Sequence, residues 1–281
     1  MVSNEEILMQ GEITIRDLCL HLGKGEQRFQ ALDHVNIHIP PGEFICLLGP
    51  SGCGKSTLLG ALAGHLGYSS GDLLVDHEVV HQPHPDRGLV FQHHTLFPWK
   101  SIIENIAFGL KMKGIPTKER LEKAKQMIDL VGLTGFEQKF PAELSGGMQQ
   151  RVEIARVLIN EPKVLLMDEP FGALDAQTRV HMQQLLLEIW QNIRTTVLFI
   201  THDIDEALYL SDRVLIMSHR PGRIIEEIPL SFPRPRDIEI VTTPEFVELK
   251  KYCMQALKHD DLSNLKRLNP LGLPKKAVTE G

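Results

Sequence analysis

The sequence predicts an α/β fold built around a buried, largely parallel sheet. Two short segments, 44–48 and 164–167, are continuously apolar, as expected of strands that are covered on both faces. Between them, residues 102–159 carry apolar side chains at helical spacing, which indicates a helical insertion between strands of the core. The chain of 281 residues is long for one minimal domain and short for two. One domain with a subdomain or a tail is therefore expected.

The first part of the chain predicts antiparallel strands. Residues 12–19 and 32–39 alternate apolar and polar side chains, and the turn Pro40-Pro41-Gly42 closes the second run. Residues 69–72 have the composition of a turn, and residues 73–80 that of a short hairpin. These features indicate an antiparallel β section at the start of the fold.

Later segments alternate between strand and helix patterns. Strands are expected at 87–92, 163–167, 196–200 and 214–217, and helices at 121–131, 180–190 and 244–257. Gly132 is placed to cap the first of these helices. The last stretch, from about residue 262, predicts a loose tail.

Composition argues against several classes of function. The formal net charge is −6 and no basic block stands out, so nucleic acid is not an expected partner. The four cysteines are scattered without a C-x-x-C pair, which argues against a zinc site or a disulfide framework and fits a reducing compartment. The first ten residues are polar and acidic, unlike a signal peptide. No apolar run approaches the ~20 residues of a membrane span, so any membrane role is expected to come through a partner.

The most informative stretch is the glycine-rich segment 49–57, which we call the phosphate loop. It fits the pattern G-x-x-x-x-G-K-[ST], follows an apolar strand and precedes a helical run. Glycines let the backbone approach a ligand, and the freed N–H groups with the following helix dipole make an anion site. Lys55 can reach the outer phosphates, and the Ser56 hydroxyl can hold Mg²⁺. The nucleotide-binding residues expected from this segment are Gly49, Pro50, Ser51, Gly52, Cys53, Gly54, Lys55, Ser56 and Thr57.

Cys53 lies inside the phosphate loop and has two interpretations. Helix N-termini lower the pKa of a thiol, which would make Cys53 reactive. Alternatively, cysteine is simply a small residue that fits the loop. The sequence leaves both open.

Two adjacent acids follow the second apolar strand. Asp168 ends the strand and Glu169 comes next, at the edge of a parallel sheet where ligands bind. Asp168 is expected to hold Mg²⁺ through water, and Glu169 to orient and deprotonate the water that attacks the γ-phosphate. An acid pair that merely starts a helix is the alternative, and the glycine loop in the same chain makes it less favoured.

A second glycine-rich helix start lies at residues 144–151, where Ser145, Gly146 and Gly147 open a helix. Such a turn can approach an anion, although on its own it is usually only a cap. Here it completes an ordered set: the phosphate loop, Gln92, residues 144–149, residues 164–169, Ala173-Leu174-Asp175, and His202. In order and spacing this set resembles that of ATP-binding cassette (ABC) proteins, over roughly residues 12–228.

The resemblance implies a fold and roles for these residues. The fold would be a P-loop NTPase with a RecA-like parallel core, an antiparallel β subdomain and a helical subdomain at about 93–159. The cassette would span 12–235, after a flexible N-terminus at 1–11 and before a C-terminal helix and tail at 236–281. Two cassettes would pair head to tail as a homodimer that hydrolyses ATP with Mg²⁺. The residues that it implies in catalysis are Glu169, His202, Gln92 and Lys55, and those that it implies in Mg²⁺ binding are Ser56, Gln92 and Asp168. In the second cassette, Ser145 and Gly147 would contact the γ-phosphate in trans, with Gly146 beside them in the nucleotide site, and Asp175 would bridge the two cassettes.

Two departures from the family pattern concern the nucleotide site. Met148 stands where the family more often has glutamine, which leaves the backbone anion site intact. No tyrosine follows the first strand to stack on adenine; Leu22 and Phe29 are the two candidates, and the sequence does not choose between them.

Several stretches resemble the ATPase subunits of nitrate, taurine, aliphatic sulfonate and bicarbonate importers. They are Phe97-Pro98-Trp99, residues 168–175, residues 201–207 and residues 221–224. The resemblance implies two transmembrane permease subunits that dock near Gln92 to Trp99, in a groove including His94, Leu96, Phe97, Pro98 and Trp99. It also implies a periplasmic or extracellular substrate-binding protein and a peripheral location on the cytoplasmic face of the inner (cell) membrane. The cargo that it implies is a small anion or an organosulfur compound, and the sequence does not reveal which one.

Three alternatives stay open at this point. Phe97 and Trp99 can serve ordinary packing between subdomains instead of docking. The protein can be a soluble cassette ATPase without a transporter, although it lacks the second cassette or long coiled coil usual in such proteins. A non-hydrolysing regulator would be expected to lack the base or the magnesium ligand, and both acids are present.

Overall fold

The structure, a computed structural model, describes residues 10–93, 95–193 and 195–268. The strands are β1 Ile13–Leu22, β2 Phe29–Ile39, β3 Phe44–Leu48, β4 Ser70–Val75, β5 Glu78–Val79, β6 Arg87–Val90, β7 Val164–Asp168, β8 Thr196–Thr201, β9 Arg213–Met217 and β10 Ile224–Pro229. The α-helices are α1 Lys55–Leu62, α2 Ile102–Ile106, α3 Phe108–Met112, α4 Thr117–Leu130, α5 Gly146–Leu158, α6 Ala176–Ile193, α7 Ile204–Leu210 and α8 Pro244–Leu268. Within these described ranges no helix combines the length and apolar character needed to cross a bilayer.

A six-stranded sheet forms the core, in the order β10-β9-β3-β8-β7-β6. Strands β9, β3, β8, β7 and β6 are parallel, and β10 adds an antiparallel edge. All residues of β3 and β8 are buried, because apolar clusters cover both faces of the sheet. The predicted α/β fold with a parallel core is confirmed.

The register of the central strands determines where the functional residues emerge. Leu48 at the end of β3 pairs with Thr201 at the end of β8, and Ile200 pairs with Asp168 at the end of β7. The carboxyl ends of three neighbouring strands therefore lie level. The residues that follow them, including Glu169 and His202, are presented at one edge of the sheet.

The second sheet is antiparallel, in the order β2-β1-β4-β5, as the sequence predicts. One detail of the prediction is wrong: residues 70–72 belong to strand β4 and are not a turn. Ser70 pairs with Cys19 and Asp72 with Arg16 of β1. Pairing with a neighbouring strand therefore overrides the turn composition of this segment.

Four helices, α2 to α5, occupy residues 102–158. The predicted cap at Gly132 is present: its N–H donates to the Asp129 carbonyl at 3.0 Å, and the Leu133 N–H donates to the Ile128 carbonyl at 2.9 Å. These two bonds are the Schellman pattern that ends a helix on glycine.

The C-terminal part differs most from the sequence prediction. Helix α7 and strand β10 were not predicted, and the helix expected at 244–257 continues to Leu268. The start of the expected tail is therefore helical. Its leucines at 262, 265 and 268 recur every three residues, a spacing that favours helix. The rest of the expected tail, and residues 1–9 of the expected flexible N-terminus, lie outside the described residues.

Candidate functional site

The phosphate loop connects β3 to α1 and opens into a cleft of about 300 Å³. Gly54 precedes the helix with φ 117°, and no side chain caps the helix. A Cβ at Gly54 would lie 2.9 Å from Leu32 Cδ2 and 3.0 Å from the Ala31 carbonyl oxygen, so only glycine suits both the dihedral and the space. The helix start is thereby open toward an anion. Six residues of the predicted loop line the cleft: Ser51, Gly52, Gly54, Lys55, Ser56 and Thr57.

Lys55 is held against the inside of the loop. Its Nζ donates to the Gly49 carbonyl at 2.8 Å and to the Pro50 carbonyl at 2.9 Å, and the residue is 5% exposed. Both acceptors that bond this ammonium are neutral carbonyl oxygens. Its positive charge is consequently available to an anion that enters the cleft.

The acid at the end of β7 meets the loop directly. The Ser56 hydroxyl donates to Asp168 Oδ1 at 3.1 Å. Burial raises the pKa of Asp168; the Ser56 hydrogen bond opposes this rise, Glu169 adds to it and Lys55 opposes it. A hydroxyl and a carboxylate oxygen side by side are the hard donors that Mg²⁺ prefers, so these residues fit such an ion.

Two side chains predicted from separate motifs, His202 and Gln92, converge on Glu169. Its Oε2 lies 3.0 Å from His202 Nδ1 and 3.4 Å from Gln92 Nε2. Glu169 and Gln92 also line the cleft together with the phosphate loop. The backbone of Glu169 has φ 45°, an uncommon value for a residue with a side chain. Its N–H donates to the Ile200 carbonyl at 3.0 Å, which fixes it to β8.

Ser145, Gly146, Gly147 and Asp175 lie together at a different place, which we call the signature corner. Ser145 caps α5 by accepting a hydrogen bond from the Met148 N–H at 3.4 Å. A Cβ on Gly147 would lie 2.5 Å from Thr178 Cγ2, so α5 and the first turn of α6 are in close contact. Hydrogen bonds from Thr178 hold the pKa of Asp175 below its usual range. No residue of this corner lines the cleft of the phosphate loop.

The environment of Cys53 decides between its two interpretations. The side chain is 1% exposed, and burial raises the pKa of the thiol despite the opposing charge of Lys55. Burial thus outweighs the effect of the helix N-terminus and favours the second interpretation. Cys53 is a small residue that packs under the loop.

One cleft residue was missed by sequence reasoning. Arg220 lies in the loop after β9, with its guanidinium carbon 4.4 Å from the centre of the Phe29 ring and its Nη2 donating to the Gly52 carbonyl at 3.1 Å. The adjoining segment 221–224 was noted in the sequence only for its likeness to importer ATPases. Both candidates for adenine stacking, Leu22 and Phe29, line this cleft.

The residues predicted to form a docking groove have different surroundings in the structure. A groove of about 550 Å³ is lined by Thr95, Phe97, Phe108, Met112 and Arg156, among others. Of the predicted residues, Phe97 lines it, Leu96 is buried in the core, and Trp99 packs on Phe97 with ring centres 5.7 Å apart. His94 lies outside the described residues.

The fold and the cleft together define a cassette with a phosphate-binding loop, an acidic pair and a second glycine-rich helix start. The sequence profile of the ABC transporter family matches residues 32–172. An uncharacterized ABC transporter ATP-binding protein of Methanocaldococcus jannaschii is 52% identical over 85% of this chain and 88% of its own. The aliphatic sulfonates import ATP-binding protein SsuB of Bacillus cereus is 44% identical over 89% of this chain and 97% of its own.

A solved structure agrees with these relatives. A dimeric ATP-binding cassette in a post-hydrolysis state, bound to ADP and Pi, superimposes with a TM-score of 0.69 at 31% identity, over 79% of this chain and 100% of that one. The chain belongs to the ABC transporter family. It is an ATPase of the ABC cassette type, and the resemblance stated from the sequence is confirmed.

Proposed function

We propose that this cassette is the ATP-hydrolysing subunit of an importer. The cargo class is a small anion or an organosulfur compound, of the nitrate, sulfonate, taurine or bicarbonate kind. Support comes from the SsuB relatives, which are named for the import of aliphatic sulfonates and match along most of both chains. A soluble cassette ATPase without a transporter is the alternative, and no observation favours it.

One observation carries the catalytic proposal: the phosphate loop and the Glu169 carboxylate line the same cleft. In this proposal the loop N–H groups and Lys55 bind the phosphates of ATP, and Glu169 takes the proton of the attacking water. His202, bonded to the same carboxylate, orients it and can donate to the γ-phosphate. Gln92 contacts the same oxygen and aligns the water.

Mg²⁺ is proposed to bind at Ser56 and Asp168, with Gln92 nearby. The two oxygens already lie 3.1 Å apart, beside the start of α1. When bound, the ion would neutralise developing charge on the phosphate oxygens. Ser56 and Asp168 would fix its position relative to Lys55.

A second copy is proposed to complete each site. Ser145, Gly146 and Gly147 would approach the γ-phosphate held by the partner's loop, and Asp175 would contact the facing cassette. Two observations support this: the signature corner is outside the cleft of its own chain, and the related cassette bound to ADP and Pi is dimeric.

Two membrane subunits are proposed to dock in the groove beside Phe97. Arg156 Nη1 donates to the Thr95 carbonyl at 2.9 Å, and the guanidinium carbon lies 5.5 Å from the centre of the Phe97 ring. Thr95 also donates through its hydroxyl to Glu153 Oε1 at 3.1 Å. These contacts connect the groove to the segment after Gln92, so that movement of Gln92 during hydrolysis would be transmitted to a bound subunit.

The location and the domain limits follow from this proposal. We place the protein peripherally on the cytoplasmic face of the inner (cell) membrane, with a periplasmic or extracellular substrate-binding protein acting through the permease. The cassette limits of 12–235, with a helical subdomain at about 93–159 and a C-terminal helix and tail at 236–281, are part of the same proposal.

The Glu169→Gln variant tests the catalytic role. We expect turnover to fall by a factor of about 10²–10⁴, because the amide cannot accept the proton of water. ATP binding should persist, and an ATP-dependent dimer should accumulate in size-exclusion chromatography. Glu188→Gln, an exposed glutamate on α6, is the matched control and should hydrolyse normally. Retained turnover in Glu169→Gln would remove it as the base.

The Met112→Asp variant tests docking. Met112 lines the groove and is 63% exposed, so the aspartate is expected to be tolerated by the fold while its charge opposes an apolar partner surface. Co-expressed membrane subunits should no longer co-purify. Met254→Asp on α8, 55% exposed and away from the groove lining, is the matched control. Equal co-purification by both variants, or none by the wild type, would contradict the docking proposal.

A further inference from the structure

Three side chains with the chemistry of metal ligands meet on the antiparallel sheet: Cys19 of β1 with Asp33 and His34 of β2. His34 Nδ1 lies 3.5 Å from Cys19 Sγ and 2.8 Å from Asp33 Oδ1. The three ligand atoms all lie within 4.8 Å of one another, and among the described residues no other such trio of histidine, cysteine or carboxylate groups occurs. We call these residues the β1–β2 cluster. None of them lines the cleft of the phosphate loop.

An irregularity in the strand pairing brings the cluster together. The register of β1 on β2 shifts around Cys19, so that this one residue faces both Asp33 and His34. His34 has φ 48°, an uncommon value for a residue with a side chain, and its N–H donates to Cys19 Sγ at 3.3 Å. Bulges re-aim side chains, and such backbone conformations concentrate at functional sites. The bulge therefore points to a site on this face of the sheet.

The donor set and its dimensions suit a zinc ion. A thiolate, an imidazole nitrogen and a carboxylate oxygen are the ligand types that Zn²⁺ takes. A sulfur and a nitrogen bound to one tetrahedral Zn²⁺ lie about 3.5 Å apart, and Cys19 Sγ and His34 Nδ1 are 3.5 Å apart. Nitrogen and oxygen ligands lie about 3.3 Å apart in the same geometry, so Asp33 Oδ1 would withdraw from His34 by about 0.5 Å from its present 2.8 Å. The fourth position would be left to water.

The carboxylate of the cluster is oriented by neighbouring side chains. Asp33 Oδ1 accepts from Gln30 Nε2 at 2.8 Å, and Oδ2 accepts from Arg223 Nε at 2.7 Å. Ligating carboxylates are characteristically hydrogen-bonded in this way, which fixes their orientation toward the metal. Arg223 bonds the oxygen that does not contact His34, so both contacts can persist when a metal binds.

We propose that Cys19, Asp33 and His34 bind one Zn²⁺ ion, at a site separate from that proposed for Mg²⁺. On binding, the Cys19 thiol loses its proton to solvent and its sulfur bonds to the metal. The proton between His34 Nδ1 and Asp33 Oδ1 moves to Nε2 of the same ring, which frees Nδ1 to bind. The His34 side chain is 69% exposed, so an ion can reach the site from solvent. The bound ion cross-links β1 to β2. The spacing of the cysteines does not reveal this site, because two of its three ligands are not cysteines.

Cobalt(II) is the probe for this site, because it accepts the same tetrahedral geometry and a Co²⁺–thiolate bond gives a charge-transfer band in the near ultraviolet. The reduced full chain, freed of metal with a chelator, is titrated with Co²⁺ and then with Zn²⁺. We expect the band to saturate at one Co²⁺ per chain and to disappear as Zn²⁺ displaces Co²⁺. Excess Mg²⁺ should leave the band unchanged, because Mg²⁺ prefers oxygen ligands. A titration that gave no band would overturn the proposal.

Variants of the cluster test each ligand. Cys19→Ser removes the thiolate and should abolish the band. His34→Asn removes the imidazole and keeps a residue type that tolerates a positive φ; because the side chain is exposed, this variant tests the site even where Cys19→Ser fails to fold. Both should bind Co²⁺ more than about 100-fold more weakly, since losing a ligand costs more than losing an outer partner. Gln30→Ala removes only an outer partner and should weaken binding about tenfold.

Two matched controls change the same residue types elsewhere. Cys253→Ser replaces another buried cysteine, and His38→Asn replaces another exposed histidine of β2. Both should bind Co²⁺ as the wild type does. Unchanged affinity in His34→Asn would overturn the proposal. A band that persists in Cys19→Ser and is lost in Cys53→Ala would also overturn it, by moving the metal to the phosphate loop. Because Co²⁺ is measured without nucleotide, neither result bears on the proposed ATPase function.

Discussion

Two helices of this protein begin with glycine-rich turns, and they begin in opposite ways. Helix α1 follows Gly54, which has a left-handed backbone and provides no side-chain cap. Helix α5 follows Ser145, whose hydroxyl accepts from the Met148 N–H and closes the helix start. The first N–H groups of α1 are consequently open to a ligand, whereas one of those in α5 is already bonded to its own chain.

The surroundings of the two helix starts differ as well, and again only those of α1 suit a ligand. The start of α1 lies in a cleft with a buried ammonium, a hydroxyl–carboxylate pair and an exposed aromatic ring. The start of α5 is exposed at Ser145 and Gly146 and packs against α6 through Gly147. A helix dipole is therefore not a site by itself. One turn has the neighbours that make a phosphate site, and the other requires those neighbours from elsewhere, which we propose to be a second copy.

The largest expected effect tests whether the two turns act across copies. Lys55→Ala should weaken ATP binding about 100-fold, because a charged hydrogen-bond donor is lost. Ser145→Arg should bind ATP normally as a single chain but lose turnover about 10²–10³-fold, because a positioned donor at the γ-phosphate is blocked. Calorimetry and a phosphate-release assay measure the two quantities.

Mixing these two inactive variants gives the decisive measurement. In a head-to-tail pair, half of the assembled dimers would contain both variants and each would hold one intact site. Turnover should therefore recover to about a quarter of the wild-type value if the sites act independently. Lys55→Ala mixed with Glu169→Gln is the control and should stay inactive. Lys55 and Glu169 belong to the same half-site, so each of the two sites in the mixed dimer carries one of the two changes. A Lys55→Ala and Ser145→Arg mixture that stayed inactive would contradict the proposal that the two turns form one site across two copies.

A smaller effect is expected from the contact that holds the signature corner. Gly147→Ala places a methyl group 2.5 Å from Thr178 Cγ2, so the first turn of α6 must move. We expect a loss of about 1–3 kcal/mol in the free energy of unfolding, typical of overpacking, measured by urea denaturation. Gly147→Ala with Thr178→Ser removes the clashing methyl group and should recover most of the loss. No recovery in the double variant would show that the contact is not the cause.

The sequence predicted the features whose signals are local. The buried strands β3 and β7 are continuous apolar runs, and the phosphate loop is a contiguous pattern with a strand before it and a helix after it. Gln92, Glu169 and His202 come from separate stretches, and the registers of β6 with β7 and of β7 with β8 bring them together. Their convergence on one carboxylate oxygen depended on the register, which the sequence did not give in advance.

The failures have physical reasons. Arg220 could not be predicted as a cleft residue, because its contacts with Gly52 and Phe29 join segments far apart in the chain. Helix α7 was missed because it is only seven residues long, although Asp203 followed by Glu206 is a capping signal that was available. The sequence could not choose between the two interpretations of Cys53, because it does not show the burial that raises the pKa of the thiol.

Cys53, beside the open start of α1, is expected to give the weakest response. An open helix start should activate a thiol beside it, yet Cys53 is buried and its pKa is raised. Because the thiolate is the reactive form and a raised pKa makes it scarcer at neutral pH, N-ethylmaleimide at pH 7 should leave ATP hydrolysis unchanged over the time in which an exposed thiol reacts fully. Modification should accelerate only as the pH rises toward the raised pKa, and denaturant should expose all four buried cysteines. Rapid inactivation at pH 7 that is absent in Cys53→Ala would show that the thiol becomes accessible in the working protein. The helix N-terminus, and not burial, would then control the reactivity of Cys53.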